Sequence, residues 1–100
     1  MDRTVTIVRH RVADFDRWKT AYDAYASTQA KHGVLAHQVL RSHDDADSVV
    51  VTHSFDSLEA AQSFMALPEL KETMVKAGVD ADSVKVGYYD EIETGALIAV

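Results

Sequence analysis

Val5-Thr6-Ile7-Val8-Arg9-His10-Arg11-Val12, then Asp14-Phe15-Asp16-Arg17-Trp18, a glycine at Gly33 and two further β-rich runs ending at Phe55 decide the fold. Residues 4–12 read as a strand, because β-branched side chains dominate and neither Gly nor Pro interrupts them. Asp14 suits an N-cap, its carboxylate accepting first-turn amides and favoured there by the helix dipole. Phe15, Trp18, Tyr22 and Tyr25 recur at three- and four-residue steps, which puts all four rings on one helical face, the face that packs on a sheet. Gly33 supplies the left-handed conformation that ends such a helix.

Working outward, residues 34–42 and 48–55 read as two strands. Asp44-Asp45-Ala46-Asp47 between them is polar and too short for anything but a hairpin. Asp56-Ser57-Leu58-Glu59 has capping-box spacing and opens a second helical block, with Leu58, Ala61 and Phe64 or Met65 on one face. Pro68 fits the first turn of a further helical segment, so a break is expected near Leu67. Leu70, Met74 and Ala77 continue the stripe, Gly78 ends it, and residues 84–92 form a last strand. The order β-α-β-β-α-β predicts an α+β ferredoxin-like antiparallel sheet with helices on one face, in a single domain spanning residues 1–100.

Composition bounds what such a domain does. The 10 basic and 16 acidic side chains give a formal charge of −6 and no basic stripe, so a nucleic-acid backbone is repelled. There is no Cys, which removes disulfides and thiolate metal sites. The first residues run straight into a strand without the pattern of a secretory signal, and no apolar run approaches the roughly 20 residues that cross a bilayer. No membrane partner is expected, and the cytoplasm is the expected location.

An antiparallel sheet wetted on one side alternates apolar with polar residues. This one does not do so cleanly: Val34, Ala36 and Leu40 oppose Leu35, His37, Val39 and Arg41, and Val50 opposes Val49, Val51, His53 and Phe55. Helices cover one face, so a second copy of the sheet is expected on the other, closing a homodimeric α/β barrel. The apolar tail, Gly95-Ala96-Leu97-Ile98-Ala99-Val100, is expected at the subunit interface.

The run from Arg9 to Trp18, Gly33-Val34-Leu35, Arg41, Phe55-Asp56-Ser57-Leu58-Glu59-Ala60-Ala61, Leu67-Pro68-Glu69-Leu70 and Ala77-Gly78-Val79 together resemble the dimeric α/β-barrel superfamily. Within it, they are similar to the small antibiotic-biosynthesis-monooxygenase and cyclase-like proteins. The resemblance implies the fold, the homodimer and a ligand cavity between sheet and helices. Cofactor-free oxygenases of that group use an Asn and a Trp to hold substrate or oxygen; this chain has no Asn, and Trp18 is its one Trp.

His10, His37 and His53 fall on three neighbouring strands, and an imidazole is suited to removing a proton from a phenol or from a carbon flanked by carbonyls. A four-residue turn, 44–47, pairs His43 with Ser48, and so His37 with Ser54 and His53 with Gln38. The two rings then face opposite sides, and a turn one residue longer or shorter reverses this. On the four-residue register the cavity face carries Leu35, His37, Val39, Arg41, Val50, Thr52 and Ser54. His37 is then the first candidate base, Arg41 the group that stabilises a developing oxyanion, and His10 a further catalytic candidate. Trp18, Tyr22, His53, Tyr88 and Tyr89 are candidates for ligand binding, one of the last two facing the cavity.

No metal site is expected, since three imidazoles converging with open access is a demanding geometry. No cofactor is expected either, because phosphate-cradling, nucleophile-elbow and His-Glu-x-x-His motifs are all missing. The sequence thus points to a protein that binds a small hydrophobic or aromatic ligand. Its expected activity is that of a cofactor-independent enzyme, cyclase, isomerase or monooxygenase-like, on a small aromatic or polyketide-like carbonyl compound. The alternative is a non-catalytic ligand-binding or stress-response barrel.

Overall fold

The computed structural model describes residues 2–98. Strands β1 (Thr4–Arg11), β2 (Ala36–Arg41), β3 (Ser48–Phe55) and β4 (Lys85–Asp90) form one sheet in the order β2-β3-β1-β4, with every neighbouring pair antiparallel. Helices α1 (Phe15–Ala24) and α2 (Ala26–Lys31) join β1 to β2, and α3 (Leu58–Met65) and α4 (Pro68–Lys76) join β3 to β4. This is the α+β ferredoxin-like arrangement that the element order predicts.

Local chemistry places the helices. The Asp14 carboxylate accepts from the amides of Asp16 at 2.9 Å and Arg17 at 3.3 Å, so α1 starts where the side chain replaces missing backbone acceptors. Ser57 Oγ does the same for the amide of Ala60 at 3.1 Å. Pro68 opens α4 after the expected break, with Leu67 as the N-cap. Arg17 donates to the carbonyl of Lys76 at 2.7 Å, which ties the start of α1 to the negative end of α4. The first helical block, expected to run unbroken to Gly33, is divided at Tyr25, whose amide bonds the carbonyl of Tyr22 in a tightened turn. The amide of Gln29 bonds the carbonyl of Tyr25 at 3.0 Å, so α2 continues close to the line of α1. Gly78 has φ +85°, a left-handed conformation that turns the chain back to bond Ala13.

Burial alternates along β1 and β3: Thr4, Thr6, Val8 and His10 are buried, as are Val49, Val51, His53 and Phe55. These residues face the helices. Trp18 packs with Val12, Val49, Val51 and Ala77 in one cluster, and Phe55, Ala61 and Phe64 form a second.

The β2–β3 hairpin departs from the four-residue register. His37 pairs with His53, Val39 with Val51 and Arg41 with Val49, and the amide of Ser42 bonds the carbonyl of Ser48 at 2.9 Å. The loop is therefore residues 43–47, one longer than expected, and the extra residue turns His37 onto the same face as His53. Side chains hold the wider loop open. The Asp45 carboxylate accepts from the amide of Asp47 at 3.1 Å and from Arg11, while Arg41 Nε donates to the carbonyl of Ala46 at 2.7 Å. Val50, Thr52 and Ser54 consequently lie on the face away from the helices, with Val5, Ile7 and Leu40.

Leu97 and Ile98 are exposed in the described chain; the rest of the tail, Ala99 and Val100, lies outside the described residues. Among the described residues no helix is long and apolar enough to cross a membrane.

Candidate functional site

Between the sheet and the helices lies a cavity of about 60 Å³, walled by Val8, His10, Val51 and His53 from the sheet and by Trp18, Tyr22, Tyr25, Gln29, Phe64, Met65 and Met74 from the helices. Alternation along β1 and β3 turns both histidines inward; helical periodicity turns Trp18 and Tyr22 toward them. The rings interlock. His10 meets the edge of Trp18 with centroids 5.6 Å apart, and Trp18 stacks on Tyr22 at 5.1 Å. His53 stands edge-on to Phe64 at 5.6 Å.

One hydroxyl links two imidazoles. Tyr22 Oη lies 2.9 Å from His37 Nδ1 and 3.0 Å from His53 Nε2. A phenol has one proton, so it donates to one ring and accepts from the other. His37 stands exposed on the edge strand, whereas His53 is buried, and Tyr22 bridges outside to inside. A second, open groove of about 410 Å³ runs beside this edge, lined by Tyr22, Asp23, Gln29, Val34, Leu35 and His37 among others. Tyr22 and Gln29 line both spaces and form the wall between them.

Burial governs the electrostatics. It lowers the pKa of His53 to about 4, helped by the nearby His37, so His53 is neutral at pH 7. His10 is also lowered, chiefly by burial. The Tyr22 phenol is raised by burial, with Gln29 opposing, so Tyr22 keeps its proton. His10 Nδ1, His53 Nδ1 and the Tyr25 hydroxyl are buried without a partner, on three residues that all line the cavity. An unpaired buried polar atom is costly and calls for a reason, such as a ligand or water that completes it.

Of the residues singled out in the sequence, His10, Trp18, Tyr22 and His53 meet at the cavity, and His37 reaches it through Tyr22. Arg41 is elsewhere. Its guanidinium sits 4.1 Å from the centre of the Phe15 ring, beside the loop it bonds, and it lines neither space. Tyr88 shares the helix-facing side with its partner Thr6, and Tyr89 with its partner Val5 the opposite one; both are exposed and neither lines a cavity. Among the described residues there is no group of three His, Cys, Asp or Glu that could hold a metal.

Gln29 belongs to the site although its residue type alone does not mark it in the sequence. It is buried, polar and shared by both spaces. Its position was a signal: Trp18, Tyr22, Tyr25 and Gln29 continue the four-three-four spacing of the aromatic stripe. A polar residue at an apolar position of a helix faces the interior for a reason other than packing.

A sheet of this order, with one face under helices and an aromatic, histidine-bearing cavity between, defines a small α+β class. Residues 7–76 match the model of the antibiotic biosynthesis monooxygenase family, and the chain belongs to that family. No curated protein matches it in sequence. Among solved structures, it is similar to SnoaB, a cofactor-independent oxygenase from Streptomyces nogalater, with 18% identity over 94% of this chain and 97% of that one and a TM-score of 0.75. A candidate antibiotic biosynthesis monooxygenase from Caulobacter crescentus is 18% identical over 92% of each chain, with a TM-score of 0.74. Another, from Nitrosomonas europaea, is 19% identical over 91% of each, with a TM-score of 0.72. At these identities the likeness is one of fold.

Proposed function

We propose that this protein is a cofactor-independent enzyme acting on a small aromatic or polyketide-like carbonyl compound, and that its reaction begins with proton removal by a buried imidazole. The observation that carries the reading is the pair of unpartnered nitrogens, His10 Nδ1 and His53 Nδ1, on rings that line an otherwise apolar cavity. Burial keeps the His53 ring unprotonated at pH 7 with a lone pair free to accept a proton, although the same burial weakens it as a base, and a dry wall of rings strengthens its interaction with any charge that develops. Removing a proton from a phenol or from a carbon between carbonyls leaves an electron-rich phenolate or enolate. Cyclisation, isomerisation and cofactor-free oxygenation all start from such a species. Family membership and the likeness to a cofactor-independent oxygenase favour the last.

In this reading His53 is the base and His10 the second polar contact, while Trp18 and Tyr22 offer flat faces for stacking. A space of about 60 Å³ holds only a few waters, whereas ligand pockets start at roughly 300 Å³. The ligand therefore enters from the groove, and the Tyr22–Gln29 wall shifts to admit it; Met65 and Met74 are pliable enough to follow. A second copy of the sheet on the open face completes the barrel.

The test is hydrogen–deuterium exchange at carbon. Phenols and enolisable 1,3-dicarbonyl compounds that quench Trp18 fluorescence are incubated with the protein in deuterated buffer and followed by NMR. Catalysed exchange that His53→Gln abolishes supports the enzyme. Binding without exchange leaves a non-catalytic ligand carrier, and no binding by any compound of either class sinks both.

A further inference from the structure

We infer that Tyr22 is a two-way proton relay joining the buried His53 to the exposed His37, so that the protonation of His37 dictates which nitrogen of His53 carries hydrogen. The inference deepens the proposed role of His53 as base and rests on it for its use in turnover, but the relay itself is a property of the empty protein.

The geometry leaves two proton arrangements. In one, His53 Nε2–H donates to Tyr22 Oη, the Tyr22 hydroxyl donates to His37 Nδ1, and His53 Nδ1 holds a lone pair. In the other, His37 Nδ1–H donates to Tyr22, the hydroxyl donates to His53 Nε2, and the hydrogen of His53 sits on Nδ1. His53 Nδ1 has no protein partner, and a stranded buried N–H is rarer than a stranded acceptor, so the first arrangement is the resting one. Protonated His37 has hydrogen on both nitrogens and can only donate. It forces the second arrangement.

The proton count closes. His53 Nδ1 takes a proton from the ligand as its Nε2 proton passes to Tyr22 and the Tyr22 proton passes to His37 Nδ1. His37 then releases its Nε2 proton to water. The reverse sequence carries a proton from water to a ligand-derived anion and restores the resting arrangement. One proton crosses the wall in each direction, and no charge is left on the buried ring.

Other ionisable groups near the chain do not substitute for either end. From β1, His10 meets the edge of Trp18. Asp23 follows Tyr22 on α1 and bonds Lys19 at 2.6 Å. Tyr25 Oη is unpartnered, with the Glu69 carboxylate of α4 raising its pKa after burial. His32 lies 3.5 Å from Glu69. From α3 the apolar Phe64 stands edge-on to His53, and Tyr88 on β4 lies across Thr6 from it.

The experiment is NMR of nitrogen-15-labelled imidazoles in the ligand-free protein from pH 8 to pH 5. His53 is expected to stay neutral but to change from the Nε2–H to the Nδ1–H tautomer in step with the signals that show both His37 nitrogens carrying hydrogen. In Tyr22→Phe and in His37→Gln, His53 is expected to keep one tautomer across the range. A wild-type His53 that holds its tautomer when both His37 nitrogens carry hydrogen overturns the relay, as does a His53 that itself becomes charged above pH 5. Should Tyr22→Phe fail to fold, His37→Gln, altered at an exposed position, carries the comparison. Because no ligand is present, failure here leaves the proposed function standing, and failure of the exchange assay leaves the relay standing.

Discussion

His53 makes the protein's stability depend on pH. Its folded pKa is depressed from 6.5 to about 4, while the unfolded chain takes up the proton near 6.5. Its stabilising contribution is thus complete above about pH 6.5 and is lost as pH falls toward 4, a loss of roughly 3 kcal/mol. His10 acts in the same direction. Urea midpoints at pH 7 and pH 4.5 should therefore differ, and in His53→Gln the difference should shrink; an equal pH dependence in both would contradict the buried neutral ring. Arg41 is the opposite case, an exposed residue whose energy lies in contact with Phe15 and the loop carbonyl. Arg41→Ala should lower stability by about 1 kcal/mol, readable as a reduced denaturation midpoint. The sequence named His10, Trp18, Tyr22 and His53 as candidates, the two helical rings by their period and the histidines by residue type, while its four-residue register turned His53 away from the cavity. It did not separate Arg41 from them, because a guanidinium near a strand end has the same spelling whether it faces a cavity or a loop.

The site depends on where α1 begins. Asp14 fixes the first turn, and from there helical periodicity delivers Trp18 and Tyr22 to the sheet. Asp14→Ala should cost about 1 kcal/mol by thermal melting, with His53's environment in NMR disturbed through Tyr22; a silent substitution would show that packing alone holds the helix start. The β2–β3 hairpin has the larger effect on chemistry. A loop of residues 43–47 instead of 44–47 is what puts His37 opposite His53 and within reach of Tyr22. Composition marked the turn but not its length, since Asp45, Arg11 and Arg41 enlarge it through contacts with distant parts of the chain.

For the whole molecule, the open face of the sheet is what remains to be covered. Val5, Ile7 and Val50 are only half-buried there and Leu40 is exposed, and we propose that a second copy covers this face. Ile7→Glu should convert a dimer into a monomer in native mass spectrometry, whereas a wild-type monomer would refute the barrel. The sequence by itself determined the order of elements, the Asp14 cap and the α+β ferredoxin-like fold, because each is written in local spacing and element order. Only the tertiary structure decided the hairpin register, the shared hydroxyl of Tyr22 and the exclusion of Arg41, Tyr88 and Tyr89 from the cavity. These depend on which atoms meet across the sheet, and a one-residue change in a loop reverses a whole face without altering any local preference.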